Sequence, residues 1–306
     1  MTPPATPLGG GRGQTAVSPM RAGDMAAFGA FALPPRMERL RRYGQTLGRG
    51  PWARRACSVI RRVVTVGRKG PFDVEAFPGQ NARLYPGENL SDKRVFGGVQ
   101  FWDWAERSAL GAHVRASDEP VYFVDAGANA GLYTLAVRSE AGDKALKALA
   151  IEPDPENIAR LKFNLAASGA DDVVVAEVAL GAEEGSAHLA SSNTNRGELA
   201  LADTGTHVAL RPLLSVVQWA GFPRVDALKI DIEGMEEDVL APYLQEAERA
   251  LWPRMVILEA RRGEVTPALD LLIAEGYAVT ERAHMNVVLC LSTETDERQR
   301  SAHVKT

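Results

Sequence analysis

The chain reads VYFVDAGANAGLYTLAV at residues 121–137, and the succession of residue types in that stretch decides the fold. Val121, Tyr122, Phe123 and Val124 run without interruption into Asp125. Such a run fits a strand buried on both faces. Gly127, Ala128, Asn129, Ala130 and Gly131 then carry little side-chain bulk, which suits a tight turn, and from Leu132 the apolar residues follow helical spacing. A strand, a small-residue turn and a helix in that order open a βαβ unit.

The same alternation continues outward. ALKALAIEP predicts a second strand ending at Glu152, PENIARLKFNLAASG a helix stopped by Gly169, and DDVVVAEVAL a third strand. After a polar, hairpin-like insertion that can contribute to a substrate pocket, DALKIDIEG predicts a fourth strand, MEEDVLAPYLQEA a helix and MVILEA a fifth strand. TPALDLLIAEG is helical, and YAVTERA and NVVLCLS close the chain. The connection between that last pair is too short for a crossover, so it must be antiparallel. The pattern is α/β: a doubly wound, mostly parallel sheet with helices on both faces and an antiparallel final strand.

This domain is expected over residues 119–293. Residues 1–35, rich in Pro, Gly, Ala and Thr, read as a disordered tail, and 294–306 as a flexible tail. Residues 36–118 read as a basic N-terminal segment with a helix and short strands. Between Arg36 and Lys69 lie eleven Lys/Arg and one acid, Glu38. Interleaved apolar residues predict a basic amphipathic helix, interrupted near Gly48–Pro51. Residues 71–99 read as strands and turns, and 101–110 as a helix.

Two ligand classes compete for the turn at the end of the first strand, where doubly wound sheets bind. A dinucleotide needs glycines spaced GxGxxG so that bare backbone meets the pyrophosphate. Counted from Gly127, the second and third positions hold Asn129 and Leu132, and Asp125 adds a negative charge beside the anion. S-adenosylmethionine has no phosphate and presents a sulfonium, an amino group and a carboxylate, which suits Asp125 and a turn of Gly127, Asn129 and Gly131. Glu152, at the end of the second strand, stands where a carboxylate can accept from both ribose hydroxyls.

Composition and charge bound the rest. The chain has 306 residues with 45% hydrophobic and 24% charged, ordinary globular usage. The net charge of −4 hides an asymmetry: residues 1–110 carry 17 Lys/Arg against 8 Asp/Glu, and residues 111–306 carry 18 against 31. The basic front can meet an anionic membrane surface or a partner enzyme through residues 36–69, while the acidic main domain disfavours nucleic acid. No apolar run approaches the roughly 18 residues of a membrane span, and the N-terminus lacks the apolar core of a secretory signal. Cys57 and Cys290 form no metal-binding spacing or disulfide framework. A cytoplasmic protein, including one peripheral to the inner face of a membrane, is the expectation.

The ordered set FVDAGANAGLYTL, AIEPDPENIARLKFNL, VVAEVALGAEEGSAHL, LKIDIEGMEEDVL and VILEA resembles the FkbM family of S-adenosylmethionine-dependent methyltransferases. The segment NARLYPGENLSDKRVF resembles that family's lead-in. The resemblance implies a class I methyltransferase fold, S-adenosylmethionine as methyl donor, and transfer mostly to hydroxyl oxygens on sugars, glycans, polyketides and related metabolites. It places Asp125, Gly127, Asn129 and Gly131 on the methionine-binding turn, Glu152 at the ribose, and Ala179 with Leu180 near the adenine. Where the family often has a Leu-Asp pair before the fourth strand, this chain has Leu214 and Ser215.

In KIDIEG, Lys229, Asp231 and Glu233 alternate, so on a strand they share one face. Three charges in a buried strand ask for a reason. They are the catalytic candidates: Asp231 and then Glu233 as base or acceptor-orienting group, with Lys229 orienting or neutralising either. A structural ion pair explains Lys229 and Asp231 equally well. No ligand spacing demands a metal. An Asn-Pro-Pro-aromatic run, typical of base N-methylation, is absent after the fourth strand. A small-molecule or glycan hydroxyl acceptor is the leading partner. A catalytically inactive binding module of the same fold, or RNA as acceptor, remains as the alternative.

Overall fold

The computed structural model describes residues 26–68, 70–189, 201–202, 205–261 and 263–292. The tail expected over 294–306, most of the tail expected over 1–35 and the middle of the insertion lie outside the described residues. Two helices come first, α1 (Pro35–Thr46) and α2 (Pro51–Val64), each with a proline in its opening turn, where the missing N–H costs nothing. The break expected at Gly48–Pro51 separates them. A hairpin follows, β1 (Phe72–Phe77) against β2 (Gln80–Leu84). Next are α3 (Leu90–Gly98) and α4 (Trp104–Ala116). Helix α3 falls where strands and turns were expected. Its cause is local: the Asn89 side chain accepts from the backbone N–H groups of Ser91 and Asp92 and so caps the first turn.

The α/β part alternates as its sequence predicts. Its elements are β3 (Val121–Ala126), α5 (Leu132–Ala141), β4 (Leu146–Ile151), α6 (Pro155–Ala167) and β5 (Val173–Ala176). Four short strands interrupt: β6 (Ala179–Leu180), β7 (Gly185–Leu189), β8 (Leu201–Ala202) and β9 (Thr206–Arg211). Then come α7 (Leu213–Trp219), β10 (Ala227–Ile230), α8 (Glu236–Glu246), β11 (Met255–Glu259), α9 (Pro267–Ala274), β12 (Tyr277–Arg282) and β13 (Asn286–Leu291). The central sheet runs β12-β13-β11-β10-β3-β4-β5. Its neighbours from β5 to β11 are parallel, while β13 is antiparallel to both β11 and β12. That order and the antiparallel β13 are the class I methyltransferase arrangement.

One expected strand is two. The run DDVVVAEVAL leaves the central sheet after Ala176, and Ala179–Leu180 pair instead with Leu210–Arg211 in a second sheet of order β6-β9-β7-β8.

Alternation along each strand feeds two cores. One face of the sheet, with Val121, Phe123, Ala148 and Ile257, packs under α4, α5 and α6. The other, with Val124, Leu149, Leu228 and Val256, packs under α7, α8 and α9. The N-terminal segment is part of the first core: Val64, Phe72, Phe96 and Trp102 are buried in the same cluster as Phe123. It is a layer of the domain rather than an appendage.

Residues 26–34, read as part of a disordered tail, are held to this layer. Arg83, 1% exposed, makes two charged hydrogen bonds to Asp73, at 2.7 and 2.9 Å. It also donates to the carbonyls of Ala26 and Ala27. Asp73 accepts in turn from the N–H groups of Gly29 and Phe31. Breaking such a buried pair strands a charge, which costs about 3–5 kcal/mol. Arg83→Ala is therefore expected to lower unfolding free energy by about that much, read by urea denaturation, and to increase amide exchange at residues 26–32.

Candidate active site

Strand order reverses between β3 and β10: the chain runs outward through β4 and β5 and returns beside β3. Ligands of open α/β sheets bind outside the carboxyl ends at that point. There the protein has a cleft of about 230 Å³. It is lined by Asp125, Gly127 and Asn129 from the β3 turn, and by Glu152 past β4. Lys229 and Asp231 line it at the end of β10. Val178, Ala179 and Leu180 close one side from β6 and its approach.

The small-residue turn is built for close approach. Gly127 has φ 77°, and a Cβ there would drive into the backbone carbonyl of Asp231. Its N–H and that of Ala128 go to the Ile151 carbonyl. Asn129 sits at φ 50°, a left-handed conformation that Asn tolerates, and its side-chain oxygen accepts from Ala130 N–H at 2.8 Å. Gly131 does not line the cleft. At φ 82° it caps the start of α5, and a Cβ there would meet Leu161 Cδ1 at 2.5 Å.

Glu152 is 4% exposed. Its carboxylate accepts from Asn129 N–H at 2.7 Å and Asp154 N–H at 3.0 Å. Burial outweighs these bonds and pushes its pKa up to about 7. Asp125 is also buried, and its Oδ2 takes the hydroxyl and N–H of Thr134. Its Oδ1 has no partner, and burial raises its pKa.

Lys229 is 5% exposed and faces this acidic set. It pairs with Asp231 Oδ2 at 2.9 Å, reaches the Gly127 carbonyl at 3.4 Å and lies 5.4 Å from the Tyr133 ring centre. Burial opposes its charge, but Asp231 and Asp125 outweigh burial and raise its pKa. The predicted grouping of Lys229 with Asp231 holds, but not the shared strand face of all three charges. Strand β10 ends at Ile230, and Glu233 sits exposed at φ 57° on the cleft's rim. The turn is fixed by Glu236, which accepts from Ile232 and Gly234 N–H.

Sequence reasoning missed Glu259. It ends β11, lines the cleft and hydrogen-bonds Asp231. Burial first, then that bond and the Asp231 charge, push its pKa to about 8. At neutral pH it therefore donates its proton to Asp231. Lys229 and this proton together outweigh burial and hold Asp231 below the ordinary range. Its signal was present in VILEA, an acid ending a buried strand, as Asp125 and Glu152 do.

The N-terminal layer supplies the opposite wall through Asn89, Leu90, Ser91, Trp102 and Asp103. Asn89 donates to the Asn129 side chain at 3.0 Å. Asp103 accepts from the Tyr133 hydroxyl at 3.0 Å, and Trp102 packs on that ring at 4.9 Å between centres. Among the described residues no group of three or more His, Cys, Asp or Glu is arranged to hold a metal ion. No described helix is long and apolar enough to cross a membrane.

The model of the methyltransferase FkbM domain matches residues 125–278, half of the chain. The chain belongs to the FkbM methyltransferase family. It is therefore a methyltransferase by family, and S-adenosylmethionine is the donor that such families use in general. Among solved structures, methyltransferase FkbM from Methylobacillus flagellatus KT is 17% identical, with 76% of this chain and 60% of that chain covered and a TM-score of 0.41. Precorrin-6y C5,15-methyltransferase from Geobacter metallireducens GS-15 is 18% identical, covering 61% of this chain and 87% of that one at a TM-score of 0.37. A putative O-methyltransferase from Klebsiella pneumoniae is 16% identical over 62% of this chain and 80% of that one, with a TM-score of 0.38. No curated protein sequence matches the chain.

Two expectations follow from the geometry. Gly127→Ala forces a side chain against the Asp231 carbonyl and is expected to abolish ligand binding in the cleft while the protein still unfolds cooperatively, checked by calorimetry and thermal melting. Glu259 has a raised pKa in the folded state, so its contribution to stability is full below pH about 4.5 and is lost as pH rises towards about 8. Glu259→Gln is expected to flatten the fall in melting temperature over that interval.

Proposed function

We propose that the protein is an S-adenosylmethionine-dependent O-methyltransferase acting on a hydroxyl of a sugar, glycan, polyketide or related metabolite. The observation that carries the cofactor reading is the charge of the cleft. Six acids line it (Asp103, Asp125, Glu152, Asp231, Glu233 and Glu259), two of them, Glu152 and Glu259, with pKa values raised to about 7 and about 8, against one cation, Lys229. Asp125 keeps a buried carboxylate oxygen without a partner. That environment suits a cationic ligand and opposes a pyrophosphate. These residues fit the group: Asp125 would meet its cationic end, Glu152 its ribose hydroxyls, and Ala179 with Leu180 the adenine. When bound, S-adenosylmethionine supplies an electrophilic methyl group on a sulfonium.

The chain's own work is alignment and proton removal. Asp231 and Glu259 form a hydrogen-bonded pair beside Lys229. Asp231 orients the acceptor hydroxyl, and the pair receives its proton as the oxygen takes the methyl group. Lys229 keeps the pair's negative charge in place. Oxygen as the acceptor atom is supported by this carboxylate pair and by the absence of an Asn-Pro-Pro-aromatic turn after β10.

The first test is calorimetric titration with S-adenosylhomocysteine on the wild type and Glu152→Ala, each checked for its melting transition. Wild-type binding is expected, weakened about 10- to 100-fold in the variant by loss of a charged hydrogen-bond acceptor. A folded wild-type protein that does not bind would sink the reading. With an acceptor found by screening, Asp231→Asn is expected to lower kcat by about 10²- to 10⁴-fold and to leave S-adenosylhomocysteine affinity within a few-fold. The wild-type rate is expected to rise with pH up to about 8 as Glu259 gives up its proton.

A further inference from the structure

Beyond the rim of the cleft lies a second groove, of about 660 Å³. It runs between α2, α3, the segment from Phe101 to Glu106 and the turn joining β12 to β13. Leu90 and Asp103 line both cavities, so the groove adjoins the site at its N-terminal wall.

Its charge is opposite to that of the cleft. Arg54 and Arg61 face it from α2, Lys93 and Arg94 from α3, and Arg282 from β12. Among the described residues none of these five is ion-paired. The acids in the groove are Asp103, Glu106 and Glu281. Asp103 is engaged by the Tyr133 hydroxyl. Glu106 is 3% exposed, and its carboxylate accepts from the Asn286 side chain at 2.9 Å. Packing orders two of the cations, Arg61 and Arg54. A Cβ on Gly97 would meet Arg61 Cδ at 2.7 Å, so the Arg61 stem lies flat on α3. The Arg54 guanidinium sits 4.6 Å from the Phe101 ring centre. Trp104, 45% exposed, carries the Arg49 guanidinium 3.1 Å from its ring centre.

Guanidinium and ammonium groups left without carboxylates in a concave site recognise phosphate, and Arg does so bidentately. A phosphate is excluded from the acidic cleft by the same charge that admits a sulfonium. We propose that this groove holds the phosphate of the methyl acceptor, and that the acceptor is a phosphorylated sugar whose free hydroxyl passes Asp103 into the cleft. The assignment rests on the methyltransferase reading above. The sugar part comes from that reading, since one face of Phe101 and one of Trp104 are already covered by the Arg54 and Arg49 guanidiniums. The acidic cleft beside the groove leaves a long polyanion no continuous track, which separates a small phosphoester from nucleic acid.

The test is calorimetric titration of the full chain with glucose 1-phosphate and with glucose, on the wild type and on Lys93→Glu/Arg94→Glu. Glucose 1-phosphate is expected to bind at least about 10-fold more tightly than glucose, and the double variant to lose at least about 10-fold of that affinity, each through charged hydrogen bonds to phosphate. S-adenosylhomocysteine affinity is expected to be unchanged in the variant, which also shows that it folds. Equal binding of the two sugars, or no effect of the double variant, would overturn the proposal. So would charge-dependent sedimentation with phosphatidylglycerol vesicles without glucose 1-phosphate binding, which would make the groove a membrane-facing surface. Loss of S-adenosylhomocysteine binding in the wild type, with the phosphate preference intact, would instead fail the cofactor reading and with it the acceptor role of the groove.

Discussion

A single buried lysine among carboxylates conditions the rest of the site. Lys229 stands opposite Asp125 in the β10–β3 register and pairs with Asp231 one step past the strand end. A buried ammonium alone would give up its proton, and carboxylates this close would take protons up. Together they satisfy each other, and removing either partner would leave a charge stranded. The Lys229 bond to the Gly127 carbonyl ties the same cluster to the turn. That tie places the β10 loop against Gly127 so tightly that no side chain fits there. The glycine is thus demanded by a contact with residues about a hundred positions away as well as by its own φ.

Charge divides the molecule into two working zones. The cleft concentrates acids at the carboxyl ends of β3, β4, β10 and β11, and the groove beside it concentrates cations from α2 and α3. The net charge of −4 reveals neither. Segregation of this kind sorts ligands by sign before any detailed contact forms, because fields in concave sites are focused by the low-dielectric walls. Asp103, at the boundary, accepts a hydrogen bond from the Tyr133 hydroxyl on the cleft side.

Much of the fold was legible because its signals are local. Continuous apolar runs marked the buried strands, and GANAG marked the turn. The ending acids Asp125 and Glu152 were found because a carboxylate closing an apolar strand is conspicuous. Glu259 carries the same signal, but its meaning depends on Asp231 lying beside it, and that proximity comes from the pairing of β10 with β11. Glu233 failed for the converse reason. Alternation projects a shared face only while the chain stays extended, and here it turns left-handed after Ile230. Helix α3 was hidden because its start depends on one capping side chain, Asn89, within a stretch rich in turn formers. Residues 26–34 were lost to composition: their order comes from Arg83 and Asp73, far along the chain.

The match to the family begins at residue 125, yet the site does not. Asn164, fully buried on α6, shows why. Its side-chain oxygen accepts from the backbone N–H of Arg83 at 2.7 Å, and its amide donates to the Ala130 carbonyl at 2.9 Å. One side chain therefore fastens the N-terminal hairpin to the glycine turn. A second fastening is Asn89 on Asn129, whose own N–H is spent on Glu152. Movement of the N-terminal layer would thus be felt at the turn and at the acid behind it. Because the same layer carries α2 and α3, and with them the cations of the groove, the wall that would hold an acceptor and the turn that would hold a cofactor are parts of one hydrogen-bonded frame.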